Sequence, residues 1–170
     1  ALSRADARRG LGLDPDRPTG VIMFGGQGSR QMLAIARALG DVQLVLMCGR
    51  NEALARRLRA FRRPAPQAVF GFTEDVAAAM RLGDFLIGKP GPGCLSEAVH
   101  LGLPVVTFRS AWTMPQERYN TEWVRERGVG LVVRSLRELP QAVPALLDDL
   151  DRYRAATASV ANRAVFEVPQ

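Results

Sequence analysis

Strand-sized apolar runs alternate with helix-patterned segments along all 170 residues. That alternation predicts an α/β fold: a doubly wound, Rossmann-like parallel sheet of about six strands, with helices on both faces. Glycine turns follow three of the apolar runs, after Phe24, Phe70 and Ile87. A sheet of this kind places its ligand beyond the carboxyl ends of its strands. The longest apolar runs, such as Leu44 to Cys48, are strand-sized and too short for a membrane-spanning helix. The length fits one domain, residues 1–170.

The elements follow in order. Ser3 to Leu11 reads as a short helix or linker, and Asp14 to Pro18 as turns. Val21 to Phe24 is a buried strand that ends at Gly25-Gly26. Arg30 to Leu39 repeats apolar residues at helical spacing. Val42 to Cys48 is the second strand, and Asn51 caps a helix running to Phe61. Pro64 and Pro66 stop that helix, Ala68 to Phe70 is a third strand, and Glu74 to Leu82 is a short helix. Phe85 to Ile87 and Val105 to Phe108 are strands on either side of a helix that opens in the turn Gly88 to Gly93. Gln116 to Arg127 is helical, Gly128 to Gly130 a turn, and Leu131 to Val133 the sixth strand. Ser135 is expected to cap a helical end, broken by Pro140 and Pro144 and reaching toward Arg163.

The stretch from Asp84 to Asn120 carries the most chemistry. A glycine turn that opens a helix leaves backbone N–H groups without internal partners, which suits a phosphate. Lys89 stands beside that turn. Glu97 is expected four or five residues into the helix, where a carboxylate can accept hydrogen bonds from ribose hydroxyls or complement the positive helix end. The next strand leads to Gln116, Glu117 and Asn120, polar groups able to hold sugar hydroxyls or to start a helix. Phosphate, ribose and sugar capacities together describe a nucleotide-sugar site.

The motifs here are Lys89-Pro90-Gly91-Pro92-Gly93, Glu97-Ala98, Gly102-Leu103-Pro104, and Pro115-Gln116-Glu117 with Asn120. They resemble the donor-binding, C-terminal half of the GT-B glycosyltransferases. The similar group holds monogalactosyldiacylglycerol synthase, the processive diacylglycerol glucosyltransferases and the lipid II GlcNAc transferase. Gly25-Gly26-Gln27-Gly28 matches that group's glycine-rich loop, and Gly71-Phe72-Thr73-Glu74-Asp75 its Gly-Phe-x-x-Asp segment. Two departures stand out: Cys94 replaces the usual Thr or Ser, and Gln116 follows Pro115 without an intervening glycine.

The resemblance implies a donor site formed by Gly25, Gly26, Gln27, Gly28, Phe72, Lys89, Gly91, Gly93, Cys94, Leu95, Glu97, Gln116, Glu117 and Asn120. It implies a UDP-sugar donor, no metal and no other cofactor. It implies that the backbone around Phe72 reads the base edge and that Glu97 meets the ribose. A hexose or N-acetylhexosamine would go to a lipid such as diacylglycerol, at the cytoplasmic face of a membrane. The catalytic base would belong to an N-terminal acceptor domain outside this chain, so the fragment alone would do little transfer. The chain begins with alanine, as an excised or processed piece would.

Charge and cysteines add bounds. The formal net charge is +6, and Lys89 is the single lysine among 23 basic residues. Such an arginine- and alanine-rich composition is what a GC-rich bacterial genome produces. Arg50, Arg56, Arg57, Arg59, Arg62 and Arg63 are expected to crowd one helix, as a solvated face or one that attracts anionic lipid. Nucleic acid is not the expected partner, because the arginines lack interleaved aromatics. Cys48 and Cys94 lack metal-ligand spacing and read as free thiols. His100, the one histidine, shares the helix of Glu97 and reads as structural.

Two other readings compete. A stand-alone donor subunit could pair with a membrane-bound acceptor subunit. An NAD-binding oxidoreductase domain would need a full G-x-G-x-x-G fingerprint and an acid after the second strand. The chain has Gly25-Gly26-Gln27-Gly28 and places Arg50 where that acid belongs.

Overall fold

The computed structural model describes residues 2–25 and 28–162. Gly26 and Gln27, both expected at the donor site, lie outside the described residues, as does the end of the expected C-terminal helix at Arg163. The architecture is α/β, with a six-stranded parallel sheet and helices between the strands, as the sequence predicts. Contacts divide the chain into two compact units, Ala1–Asp84 and Phe85–Gln170.

The first unit holds β1 (Thr19–Met23), β2 (Gln43–Met47) and β3 (Gln67–Phe70), paired in parallel in the order β3-β2-β1. Val21 faces Val45, and Val45 faces Ala68. All five residues of β2 are buried, which is why it reads as a continuous apolar run rather than an alternation. Its one polar residue, Gln43, is satisfied internally: its amide donates to the Asp14 carbonyl and to Thr19 Oγ1 and accepts from the Asp14 N–H.

Four helices join this unit. Helix α1 (Arg4–Gly10) is capped by Ser3, and α2 (Gln31–Ala38) buries Met32, Ile35 and Ala36. Helix α3 (Glu52–Ala60) starts where Asn51 Oδ1 accepts from the Leu54 N–H at 3.0 Å, as expected. Helix α4 (Val76–Met80) begins two residues later than the sequence pattern suggested. Asp75 caps it by accepting from the Ala78 N–H, so Glu74 lies outside the helix.

Asp84 closes the unit. Its carboxylate accepts from Arg4 at 2.5 Å, from the buried Arg8 at 3.0 Å and from the Thr19 N–H at 2.8 Å. Arg8 also donates to the carbonyls of Leu82, Pro15 and Arg17. Burial pushes the Asp84 carboxyl up, but these donors outweigh it and hold it below the usual carboxylate range. Asp84 thereby fastens α1 to the start of β1.

The second unit holds β4 (Phe85–Gly88), β5 (Val105–Phe108) and β6 (Gly130–Val133), parallel in the order β4-β5-β6. Helix α5 (Pro92–His100) joins β4 to β5, and α6 (Pro115–Arg127) joins β5 to β6. Gly128, at φ 66°, ends α6 in the left-handed region that glycine adopts without strain. At Gly130 any side chain would overlap the Val105 carbonyl, so β6 can pair with β5 there only through glycine.

The carboxyl-terminal segment departs from expectation. Ser135 makes no side-chain cap, and a 3-10 turn (Leu136–Glu138) precedes α7 (Leu139–Asp148). Neither proline breaks α7. Pro140 lies in its first turn, where the missing N–H is not needed, and Pro144 sits within the helix. The break falls at Asp149, after which α8 (Leu150–Asn162) begins and packs on α5.

Candidate functional site

The glycine turn of the second unit is built from its strands. The buried Thr107 hydroxyl of β5 donates to the Gly88 carbonyl at 2.8 Å and so ties together the ends of β4 and β5. The chain then exposes Lys89, buries Pro90 and enters α5 at Gly91. No side chain caps this helix, and its first turn contains no acid. Pro92 has no N–H, and Leu95 N–H donates to the Gly91 carbonyl at 3.1 Å. The amides of Gly93 and Cys94 therefore precede the first helical bond and face outward with the positive end of the helix.

The chain itself does not require glycine here. Gly91 has φ −79°, open to any residue, and among the described residues a Cβ at Gly91 or Gly93 would meet nothing within 4 Å. The missing side chains leave room for a group from outside to approach the backbone. Gly28 is different. It has φ 64°, and a Cβ there would press on Leu54 and the Cys48 carbonyl, so its glycine serves the turn and the packing. Gly25, at φ 86°, is also required by its backbone.

The expected side chains fall into distinct settings. Glu97 is half-buried and is the sixth residue of α5, one or two later than expected, because the helix already starts at Pro92. Burial pushes the Cys94 thiol up to about 12, and Glu97 adds to the shift. Cys94 is thus a neutral thiol, a weak donor where Thr or Ser would offer a strong one. Leu95 sits in the core with its N–H already bonded, so neither its side chain nor its amide is open to a ligand. His100 is exposed on the last turn of α5.

Gln116 is exposed and Glu117 half-buried on the first turn of α6, with Pro115 ahead of them. Asn120 lies one turn on but is 1% exposed, and its Nδ2 donates to the Pro90 carbonyl at 2.8 Å. It holds the glycine turn from beneath. Asn120 Oδ1 is buried with no hydrogen-bond partner among the described residues.

The first unit carries a separate feature. A cavity of about 210 Å³ opens at the carboxyl ends of its strands, lined by Met23, Met47, Arg50, Phe72, Thr73 and Val76 among others. Phe72 is 53% exposed, and the Arg50 guanidinium lies over its ring at 4.0 Å from the centroid. Arg50 therefore belongs to this cavity and not to the arginine face of α3. Its position after the second strand speaks in the sequence against an NAD-binding domain, and the same position at a strand end also signalled its place at this cavity.

The arginine cluster shrinks in other ways too. Helix α3 contains only Arg56, Arg57 and Arg59. Arg63 donates to the carbonyls of Ala36, Leu39 and Val42. Burial lowers its pKa to about 10, with Asp41 opposing the shift. It is a structural clasp rather than part of a solvated face. Among the described residues, no group of three or more His, Cys, Asp or Glu could hold a metal ion, and no helix is long and apolar enough to cross a membrane.

Residues 21–168 match the family model for the glycosyltransferase family 28 C-terminal domain. The chain belongs to this family. The family-28 domain is 34% identical over 149 residues to monogalactosyldiacylglycerol synthase of Spinacia oleracea, covering 81% of this chain and 28% of that protein. It therefore spans less than a third of that relative's length. Among solved structures it is similar to MurG of Acinetobacter baumannii (TM-score 0.68, 18% identity, 95% of this chain and 49% of that one). It is also similar to the glycosyltransferase SnogD of Streptomyces nogalater (TM-score 0.67, 21% identity, 91% and 40%). These two likenesses concern the fold. The GT-B resemblance read from the sequence is thus met by both family and architecture.

Proposed function

We propose that this family-28 domain binds the nucleoside diphosphate of a UDP-sugar, and that the protein it belongs to transfers the sugar to a lipid acceptor. The observation that carries the reading is the start of α5. It combines open amides at Gly93 and Cys94, no cap, no acid in the first turn, and two glycines that nothing among the described residues requires. Amides fixed in that position stabilise charge as it develops on a leaving diphosphate and need no reorganisation to do so. That role requires no metal and no further cofactor.

Within this reading Lys89 adds positive charge beside the turn, and Glu97 accepts from ribose hydroxyls. Gln116 and Glu117, at the start of α6, receive the sugar. Asn120 acts on the turn through Pro90 rather than on the sugar. In the first unit taken by itself, the cavity by Phe72 and Arg50 offers a ring and a guanidinium on which a planar group could stack. The base that deprotonates the acceptor is assigned to a part of the protein other than this chain. A lipid acceptor requires work at a membrane surface, and the exposed Arg56, Arg57 and Arg62 offer a basic face to it.

Likeness to monogalactosyldiacylglycerol synthase supports the choice of a lipid acceptor. Calorimetric titration of the 170-residue chain with UDP, UDP-glucose, UDP-galactose and UDP-N-acetylglucosamine tests the donor assignment. Saturable binding of UDP and of at least one UDP-sugar is expected. Absence of binding by all four compounds contradicts it.

A further inference from the structure

We infer that the loop between β5 and α6, with the arginines beside it, is a contact surface for anionic phospholipid. Trp112 in this loop is 93% exposed. The loop is nevertheless braced. Arg118 donates from Nε to the Thr113 carbonyl and from Nη2 to the Ala111 carbonyl, each at 2.9 Å. One guanidinium thus holds the peptide on both sides of the indole. The Trp112 N–H donates to Ser110 Oγ at 3.2 Å, and the Ser110 N–H to Thr113 Oγ1 at 2.7 Å. An ordered loop is presenting a large amphipathic ring to the outside.

The same loop, through Ser110 and Ala111, joins Arg109, Arg125 and Arg134 in lining an open depression of about 460 Å³. Among the described residues two carboxylates answer its three guanidiniums: Glu122 pairs with Arg109 at 2.5 Å, and Glu138 approaches Arg134 at 3.8 Å. The depression stays net positive. Tryptophan favours the headgroup level of a bilayer, where its ring is buried and its N–H remains hydrated. Arginines beside it are drawn to anionic headgroups. A protein partner fits less well, since the core of a protein interface is depleted of charge and the depression that shares Ser110 and Ala111 with this loop carries three arginines.

The inference rests on the lipid-acceptor reading for its purpose, but its test reads membrane contact separately from donor binding. The chain has two tryptophans, and Trp123 is buried, so a change in emission on a surface reports Trp112. The experiment mixes the 170-residue chain with vesicles of phosphatidylcholine alone or with phosphatidylglycerol added, following flotation and Trp emission. UDP titrations on the same samples keep failure of the donor site distinct.

Flotation and a blue shift are expected with phosphatidylglycerol vesicles and not with phosphatidylcholine alone. Trp112→Ala should abolish the shift and most of the flotation. Arg125→Ala and Arg134→Ala should each weaken partitioning roughly fivefold. Inorganic phosphate at the headgroup concentration should leave emission unchanged. Flotation unaffected by these substitutions would place the contact elsewhere and overturn the inference, as would no flotation at all. An emission change with free phosphate would make the depression a small-anion site, and a shift that grows with protein concentration without vesicles would make the occupant a second copy. Either outcome also overturns it.

Discussion

Asn120 Nδ2 donates to the Pro90 carbonyl at 2.8 Å, across thirty residues of sequence and with both residues buried. The bond couples the first turns of α6 to the turn that opens α5. Whatever binds at α5 depends on α6 for the shape of its cradle. Asn120→Ala should therefore leave the Pro90 carbonyl unpaired, at a cost of about 1–3 kcal/mol. The low end is favoured because Asn120 Oδ1, already unpartnered, disappears with the same substitution. UDP affinity should fall with it. Urea unfolding and UDP titration of the variant check both, and an unchanged UDP affinity would detach α6 from the site.

Glu97→Ala should fold normally and bind UDP more weakly by about 1.5–3 kcal/mol, the scale of a lost charge-assisted hydrogen bond. It should also bring the Cys94 thiol down from about 12, since Glu97 contributes to that elevation. Burial is the larger cause, so the thiol stays above its ordinary value. Iodoacetamide labelling of Cys94 across pH 8–10 measures this. Faster labelling in the variant, but still slower than a free cysteine, is the expected result.

Gln116→Ala and Glu117→Ala should separate sugar from nucleotide. Both residues lie on the first turn of α6, with Gln116 exposed. UDP affinity should remain near that of the parent, while the preference for the UDP-sugar falls, because polar groups left unpaired discriminate strongly. Paired titrations decide. Equal losses for UDP and UDP-sugar would move these residues to the diphosphate.

The strand ends were legible in the sequence because glycine turns punctuate buried apolar runs, and β5 spans the residues its pattern indicated, Val105 to Phe108. The Asn51 cap was legible for the same local reason. Facts that depend on packing were not. Gln116 and Asn120 are four apart and read alike as polar, but where α6 settles leaves one exposed and buries the other. Arg63 reads as surface charge until the carbonyls of Ala36, Leu39 and Val42 converge on it. Pro144 reads as a break, but α7 continues through it. The hydrogen bond it cannot donate would run to Pro140, in the first turn.

Asp84 gives the fold a dependence on acid. Its folded pKa is depressed, so its contribution is complete above the unfolded value of about 4 and is lost as the pH falls through the folded value. Asp84→Asn removes one side of a buried pair with Arg8 and should cost about 3 kcal/mol at neutral pH. It should also flatten the acid limb of the stability curve below pH 4. Urea unfolding from pH 2.5 to 7 tests this, and a variant as acid-sensitive as the parent would assign the limb to other carboxylates.

The central claim is that the start of α5 receives the diphosphate of a uridine nucleotide. The most direct test is thermal unfolding of the 170-residue chain with UDP and, separately, with NAD, both at millimolar concentration. UDP at ten times its Kd should raise Tm by about 3 °C or more. NAD should raise it far less, since Arg50 stands where a dinucleotide fold would place its ribose acid. A rise with NAD and none with UDP would contradict the account.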